Sequence, residues 1–293
     1  MLNDRAPRRM FIEDAPPPAS TPQAGDWIRL APAQPGIERI DAFFSGHAYD
    51  PHRHDAYALG TTLSGVQRFD YRGREANSRS GDAIVLHPDE RHNGRSGAEG
   101  GFRYRMLYLE PRLIRDALGE KASALPFANS PVLRDAPLSA ALTLALRDME
   151  RRLETLELDQ AVLAIADALL AIDASAQTSS VRSIACGRAV DRARQFLDAN
   201  ATRVVASEEL EDICGLDRYA LARQFRARLG VSPYRYLTMR RLDRAKAMMR
   251  TGDALAEIAF ACGFADQSHM TRQFKQAFGL SPGKWRAIQA GNA

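Results

Sequence analysis

Between Ser207 and Arg286 the chain spells one unit twice. The first copy reads Glu209-Leu210-Glu211-Asp212-Ile213-Cys214-Gly215, then Arg223-Gln224-Phe225, then Leu229-Gly230-Val231-Ser232-Pro233. The second reads Glu257-Ile258-Ala259-Phe260-Ala261-Cys262-Gly263, then Arg272-Gln273-Phe274, then Phe278-Gly279-Leu280-Ser281-Pro282. The offset is 48 residues up to the shared glycine and 49 after it, so the turn gained one residue. A repeat of this length is a supersecondary unit used twice, and it limits the fold before any single residue does.

Each copy predicts a short helix, a turn at glycine and a longer helix, which is the helix-turn-helix pattern. Ser207 and Asp217 are expected to cap the two helices of the first copy, because their side-chain oxygens accept from orphan backbone N–H groups. Asp253 and Asp266 hold the corresponding places in the second copy. Gly230 and Gly279 close the long helices, where a left-handed residue is favoured. Ser232-Pro233 and Ser281-Pro282 then each open another helix, with serine as cap and proline at the first helical position.

The long helices have two faces. Leu221, Phe225 and Leu229 recur at four-residue spacing, as do Met270, Phe274 and Phe278, and should face the core. Opposite them lie Tyr219, Ala222, Arg223 and Arg226, matched in the second copy by Ser268, Thr271, Arg272 and Lys275, with Gln267 and His269 alongside. Two cations beside residues able to meet base edges suit a helix laid in a major groove. A few arginines on a helix ordinarily mean a solvated face; their duplication in register inside a helix-turn-helix repeat favours DNA.

Ile258-Ala259-x-x-x-Gly263-Phe264 and Phe278-Gly279-x-Ser281-Pro282-x-x-Trp285-Arg286, in this tandem setting, resemble the AraC/XylS-type transcription regulators. The resemblance implies two recognition helices entering successive major grooves, bridged by a long helix. Pro233 to Arg250 matches that bridge, with Leu237, Leu242, Ala245 and Met249 on its buried side.

Charge agrees with this division. The net +4 combines a C-terminal part with 19 basic and 11 acidic residues (181–293) and a remainder with 21 and 25. A basic domain beside a mildly acidic one points to a polyanion for the former alone. Cys186, Cys214 and Cys262 lack paired spacing and fit a reducing cytoplasm. No apolar run reaches spanning length and no signal segment is visible, so a cytoplasmic protein without a membrane partner is expected.

Residues 1–25, with Pro16-Pro17-Pro18, are expected to be a disordered tail. From 26 to 110 short alternating segments broken by glycine predict strands at Ala58–Leu63, Val66–Tyr71, Ala83–Leu86 and Tyr104–Leu109. Gly46, His52, His54 and Gly65, then Gly81, Pro88 and His92, resemble the cupin barrel, and specifically the sensor domain joined to AraC-type DNA-binding domains. His52 and His54, two apart on a strand, share a face. The ligand candidates are His52, His54, Tyr57, His87 and His92, with Tyr104 and Arg105 behind them. Metal-binding cupins add a glutamate where this chain has Ala58, so a metal-free pocket without cofactor is expected, with a metal site as the alternative.

Residues 111–172 predict a helical connector, with Leu138–Leu158 and Gln160–Ile172 at helical spacing, and 173–183 a linker to the DNA-binding domain at 184–293. The expected fold is multidomain α and β: a cupin-like β-barrel, a helical connector and an all-α tandem helix-turn-helix. The expected function is a sequence-specific, DNA-binding transcription regulator controlled by a small-molecule effector in the barrel, and not an enzyme. The alternatives are a metal-dependent cupin enzyme fused to a DNA-binding domain, and a regulator with a ligand-free sensor. Double-stranded DNA and an effector are the expected partners; the resemblance adds RNA polymerase and a second copy of the chain, paired through the connector, as candidates.

Overall fold

A computed structural model describes residues 25–122, 124–173 and 182–290; the tail before residue 25 and most of the expected linker lie outside these. Nine strands are described: β1 (Trp27–Leu30), β2 (Ile37–Phe44), β3 (His47–His52), β4 (Tyr57–Tyr71), β5 (Arg74–Arg79), β6 (Ala83–Leu86), β7 (His92–Ser96), β8 (Phe102–Leu109) and β9 (Val132–Leu133). Their antiparallel order is β1-β2-β8-β4-β6-β9, with β5, β7 and β3 branching from the far half of β4.

The two strands expected at 58–63 and 66–71 are one, the 15-residue β4. Its first half pairs with β6 and β8 and its second with β5 and β7, so one strand serves both layers. Gly65 sits at the change of partner with φ +71°, and a β-carbon there would lie 2.1 Å from the Gly101 carbonyl oxygen. Only glycine tolerates that approach.

The sheet curls over an apolar interior but does not close into the expected barrel. The free edge of β3 instead donates to a helix: Asp50 N–H to Gly279 O (3.0 Å) and Arg53 N–H to Gln276 O (2.8 Å). A covered edge cannot template another strand.

Alternation along β8 sorts the packing. Phe102, Tyr104 and Met106 face the interior, whereas Leu107 and Leu109 face α1 (Pro111–Leu118), α2 (Ala136–Leu146) and α3 (Thr155–Ile172). The helical run expected over 138–158 breaks after Leu146. The buried Arg39 guanidinium collects the freed carbonyls of Ala145, Asp148 and Arg151 at 3.2, 2.7 and 2.5 Å, so the loop's backbone is paired by a sheet residue.

The C-terminal helices are α4 (Arg182–Ala199), α5 (Ser207–Cys214), α6 (Arg218–Leu229), α7 (Pro233–Met249), α8 (Leu255–Ala261), α9 (Gln267–Phe278) and α10 (Pro282–Ala290). Asp217 caps α6 by accepting from Tyr219 and Ala220 N–H, and Asp266 caps α9 through His269 N–H. Ser207 and Asp253 do not cap: Ala206 and Ala254 hold those places, and Glu209 reaches back to Ala206 N–H at 2.9 Å. Gly230 and Gly279 close α6 and α9 at φ +76° and +70°, as expected.

The two copies are not packed alike. The first has its own core, around Leu221, Phe225 and Leu229. The second shares one continuous core with the sheet interior, joining Phe44 and Tyr104 to Leu242, Phe274 and Trp285. No described helix is long and apolar enough to cross a membrane.

Candidate effector and nucleic-acid sites

Helices α6 and α9 carry the stripes expected to read DNA. Tyr219 (71% exposed), Arg223, Arg226, Gln267, Ser268, Arg272 and Lys275 are exposed, while Ala222, His269 and Thr271 are half-buried. The apolar faces behave as expected, with Phe225 and Phe274 fully buried. Tyr219 projects a large, half-apolar ring into solvent.

Arg226 and Lys275, equivalent in the repeat, both end on the N-terminal domain. Lys275 Nζ lies 2.7 Å from Asp50 Oδ2, and Arg226 Nη2 lies 3.1 Å from Asp89 Oδ2. The Lys275 ammonium holds the Asp50 carboxyl below its usual range, so the pair is ionised at neutral pH. Asp89 stands in a left-handed turn (φ +62°), a conformation that Asp tolerates better than most residues.

The C-cap glycines repeat this relationship. A β-carbon on Gly230 would lie 2.5 Å from Pro88 Cβ, and one on Gly279 2.6 Å from Asp50 O and 2.9 Å from His52 Nδ1. Both α6 and α9 therefore rest their C-termini, and one cation each, on the N-terminal domain.

A cavity of about 330 Å³ opens between the domains. Ile40, Phe44 and Tyr104 supply its sheet wall and Met239, Phe278 and Trp285 its helical wall. Lys246, buried, crosses it to Glu38 (2.5 and 2.8 Å), with its ammonium 4.7 and 4.8 Å from the rings of Phe278 and Trp285. Arg240 spans the same boundary to Asp55 (2.7 Å) and Glu110 (3.3 Å). Breaking such buried pairs by removing one partner is costly, because the other charge stays behind.

His52, His54 and His92 converge, buried, with ring centroids 4.2 to 6.0 Å apart. Each Nδ1 faces a backbone carbonyl: Asp50 O at 3.0 Å, Ala56 O at 2.7 Å and Glu90 O at 3.0 Å. Burial, then the neighbouring rings, hold His52 and His54 well below the ordinary imidazole pKa, and burial lowers His92 to about 4. Their ligand nitrogens lie within 4.8 Å of one another.

Tyr57 and His87 do not join this cluster. Tyr57 lies on the opposite face of β4, donating to Pro126 O at 2.7 Å. His87 stacks on Phe127 (4.1 Å), accepts from Ala128 N–H through Nε2 (3.0 Å) and meets Tyr71 Oη through Nδ1 (2.7 Å). Since Nε2 accepts, Nδ1 carries the proton and donates. Tyr104 does line the cavity, whereas Arg105 turns to Asp41 at 3.0 Å. Glu38, Asp55, Arg240 and Lys246 were missed by sequence reading. A signal existed for Lys246, which sits four residues after Leu242 and three before Met249, inside an otherwise apolar stripe.

A curled sheet with an interdomain cavity, joined to two helix-turn-helix units, defines a two-domain DNA-binding regulator. Residues 34–166 match the AraC-like ligand binding domain and residues 210–288 a helix-turn-helix domain. The chain belongs to the AraC family of transcription regulators. It is 28% identical over 252 residues to the transcriptional activator RhaS of Pectobacterium carotovorum, covering 80% of this chain and 86% of that one. It is 26% identical over 231 residues to the uncharacterized HTH-type regulator YbfI of Bacillus subtilis, covering 75% and 80%. Its fold resembles ToxT of Vibrio cholerae: TM-score 0.59 at 13% identity for one structure, covering 90% of this chain and 98% of that. A ToxT structure bound to unsaturated fatty acid gives 0.59 at 12%, covering 92% and 98%.

Proposed function

We propose that the N-terminal domain restrains both recognition helices and that a small anionic amphiphile in the interdomain cavity holds it in place. The observation that carries this reading is the cavity's double wall, sheet on one side and α7, α9 and α10 on the other. A ligand that needs both walls binds only the docked arrangement, and a ligand shifts an equilibrium by its differential affinity for the two states. Docking occupies Arg226 and Lys275, so the effector lowers DNA affinity. By linkage, DNA lowers effector affinity by the same factor.

The lining favours a carboxylic acid with an apolar body. Lys246 offers a desolvated ammonium already paired with a carboxylate, Glu38, which a ligand carboxylate can replace. Around it stand the rings of Phe278, Trp285 and Phe44. The structural neighbour ToxT has been crystallised with an unsaturated fatty acid and with a naphthalenyl butenoic acid. The helical wall belongs to the domain that carries the helix-turn-helix repeat, which favours regulation over turnover and is the argument against the enzyme reading. Leu156 (80% exposed) and Leu163 (45%), seven residues apart on α3, form an apolar stripe that suits pairing of two chains through the connector. An RNA polymerase contact rests on the family alone.

The test is oleate, added to wild type and to Lys246→Met, with melting temperature and DNA affinity as readouts. The reading expects a higher melting temperature and about 5–150-fold weaker DNA binding in wild type, the span of ordinary coupling energies, with both effects lost in the variant. Equal responses in the two proteins would remove the cavity from the mechanism.

A further inference from the structure

We infer that His52, His54 and His92 hold a divalent transition-metal ion of the kind that imidazoles bind, with one coordination position left open. The inference stands apart from the identity of the effector.

The argument begins with protons. A backbone carbonyl only accepts, so each of the three Nδ1 atoms carries a hydrogen and donates it to Asp50 O, Ala56 O or Glu90 O. A neutral imidazole with its proton on Nδ1 presents a bare lone pair at Nε2. The three residues bring ligand nitrogens within 4.8 Å of one another, and the buried His54 Nε2 has no hydrogen-bond partner. A buried acceptor left without a donor is unfavourable, and a cation held among the three rings removes that cost at His54. Fixing Nδ1–H on a carbonyl is also how proteins orient histidine ligands and strengthen them.

The donor set selects the metal. Three imidazoles without a carboxylate suit zinc, cobalt, nickel or copper and not magnesium or calcium, which require oxygen. The expectation of a metal-free pocket rested on Ala58, where a fourth, carboxylate ligand would stand. Three histidines and an open position make a complete site of the ligand-exchanging type. His52 and His54 line the interdomain cavity, so the open position faces it.

The site is tied mechanically to the second recognition helix. His52 lies between Asp50 and Arg53, whose N–H groups bond to the C-terminal carbonyls of α9, and Asp50 also grips Lys275. A metal that fixes His52 fixes β3 against α9.

The test uses the full chain, purified without a histidine tag or chelator, then stripped and titrated with zinc or cobalt. Expected are a single equivalent of metal by mass spectrometry, visible d–d bands with cobalt, a zinc-dependent rise in melting temperature, and weaker DNA binding in the zinc form. His54→Ala and His92→Asn should each weaken cobalt binding by at least about 100-fold, while the exposed His47→Ala and the buried His87→Gln keep it. Far-UV circular dichroism confirms folding, and either ligand variant suffices. Wild type that takes up no cobalt, or ligand variants that bind it like wild type, would overturn the site. Unchanged DNA affinity on zinc loading would leave the site and overturn its link to α9.

Discussion

Arg226 and Lys275 occupy the same place in the two halves of the repeat, and each is ion-paired to a carboxylate of the N-terminal domain. The N-terminal domain is not repeated, so two unrelated acids, Asp89 and Asp50, have come to meet one duplicated position. In this arrangement one cation of each exposed stripe is engaged with the N-terminal domain.

Asp50→Asn and Asp89→Asn should therefore raise effector-free DNA affinity. Both pairs are partly exposed, and such pairs contribute about 0.2–1 kcal/mol, so each change should be worth no more than about fivefold. Fluorescence anisotropy at fixed salt measures it. Unchanged or lower affinity in both variants would mean the pairs do not restrain the helices.

The glycine caps give a second prediction, with an internal control. Gly215 and Gly279 both adopt left-handed backbone, at φ +68° and +70°, but a β-carbon at 215 meets nothing within 4 Å. Gly215→Ala should cost about 1–2 kcal/mol from backbone strain alone. Gly279→Ala adds a collision with Asp50 O and His52, so it should cost more and also raise DNA affinity by loosening β3. Equal stability losses in a denaturant titration would contradict the close docking.

Arg223 and Arg272 lie one turn into their helices, exposed, where an arginine can reach a guanine edge with two nitrogens. Losing such a contact costs about 1–3 kcal/mol of discrimination at a base pair. Arg272→Ala should relax preference at one or two positions, and Arg223→Ala should do so about one helical turn away. In an Asp50→Asn background, where the docking pair is already lost, Lys275→Ala should weaken all sequences alike and reduce the salt slope by about one counterion. Selection from random DNA decides this; a uniform loss with unchanged preference for Arg272→Ala would deny it a base-reading role.

His87 gives a pH prediction. Burial lowers its pKa to about 4, whereas an unfolded chain's histidine titrates near 6.5. Between those values the unfolded state binds the proton and the folded state does not, so unfolding free energy falls as pH falls through this window. The loss is complete below about 4, where both states are protonated. One such group contributes a slope of about 1.4 kcal/mol per pH unit. With chelator present, His87→Gln should flatten the acid limb by up to that amount; an unchanged slope would mean His87 is protonated in the fold.

What the sequence showed and what it hid follow from the range of the interactions. Caps, C-cap glycines and apolar spacing act within a few residues, so α6, α7 and α9 could be placed from Asp217, Gly230, Ser232, Asp266 and Gly279. Glutamate at the third helical position accounts for the slip at α5, where the backbone of Ala206 is satisfied without a capping hydroxyl. The strand expected to carry both His52 and His54 ends at His52; His54 lies in the loop beyond it, and the two rings meet at 6.0 Å for a reason other than strand parity. Which face of β4 lies inside is not marked locally either, and Tyr57 falls on its helix side. Asp50 and Lys275 are 225 positions apart, and nothing local to either marks the other.

The central claim, that the N-terminal domain grips the second recognition helix and must release it for DNA, rests on two amides. Asp50 N–H donates to Gly279 O and Arg53 N–H to Gln276 O, at the free edge of β3. Hydrogen exchange at those amides, measured in free protein and in complex with DNA selected by the protein itself, reads the contact directly. The account predicts slow exchange in the free protein and fast exchange in the DNA complex. Equally slow exchange in both would show that the protein binds DNA with the domains still docked, and would contradict it.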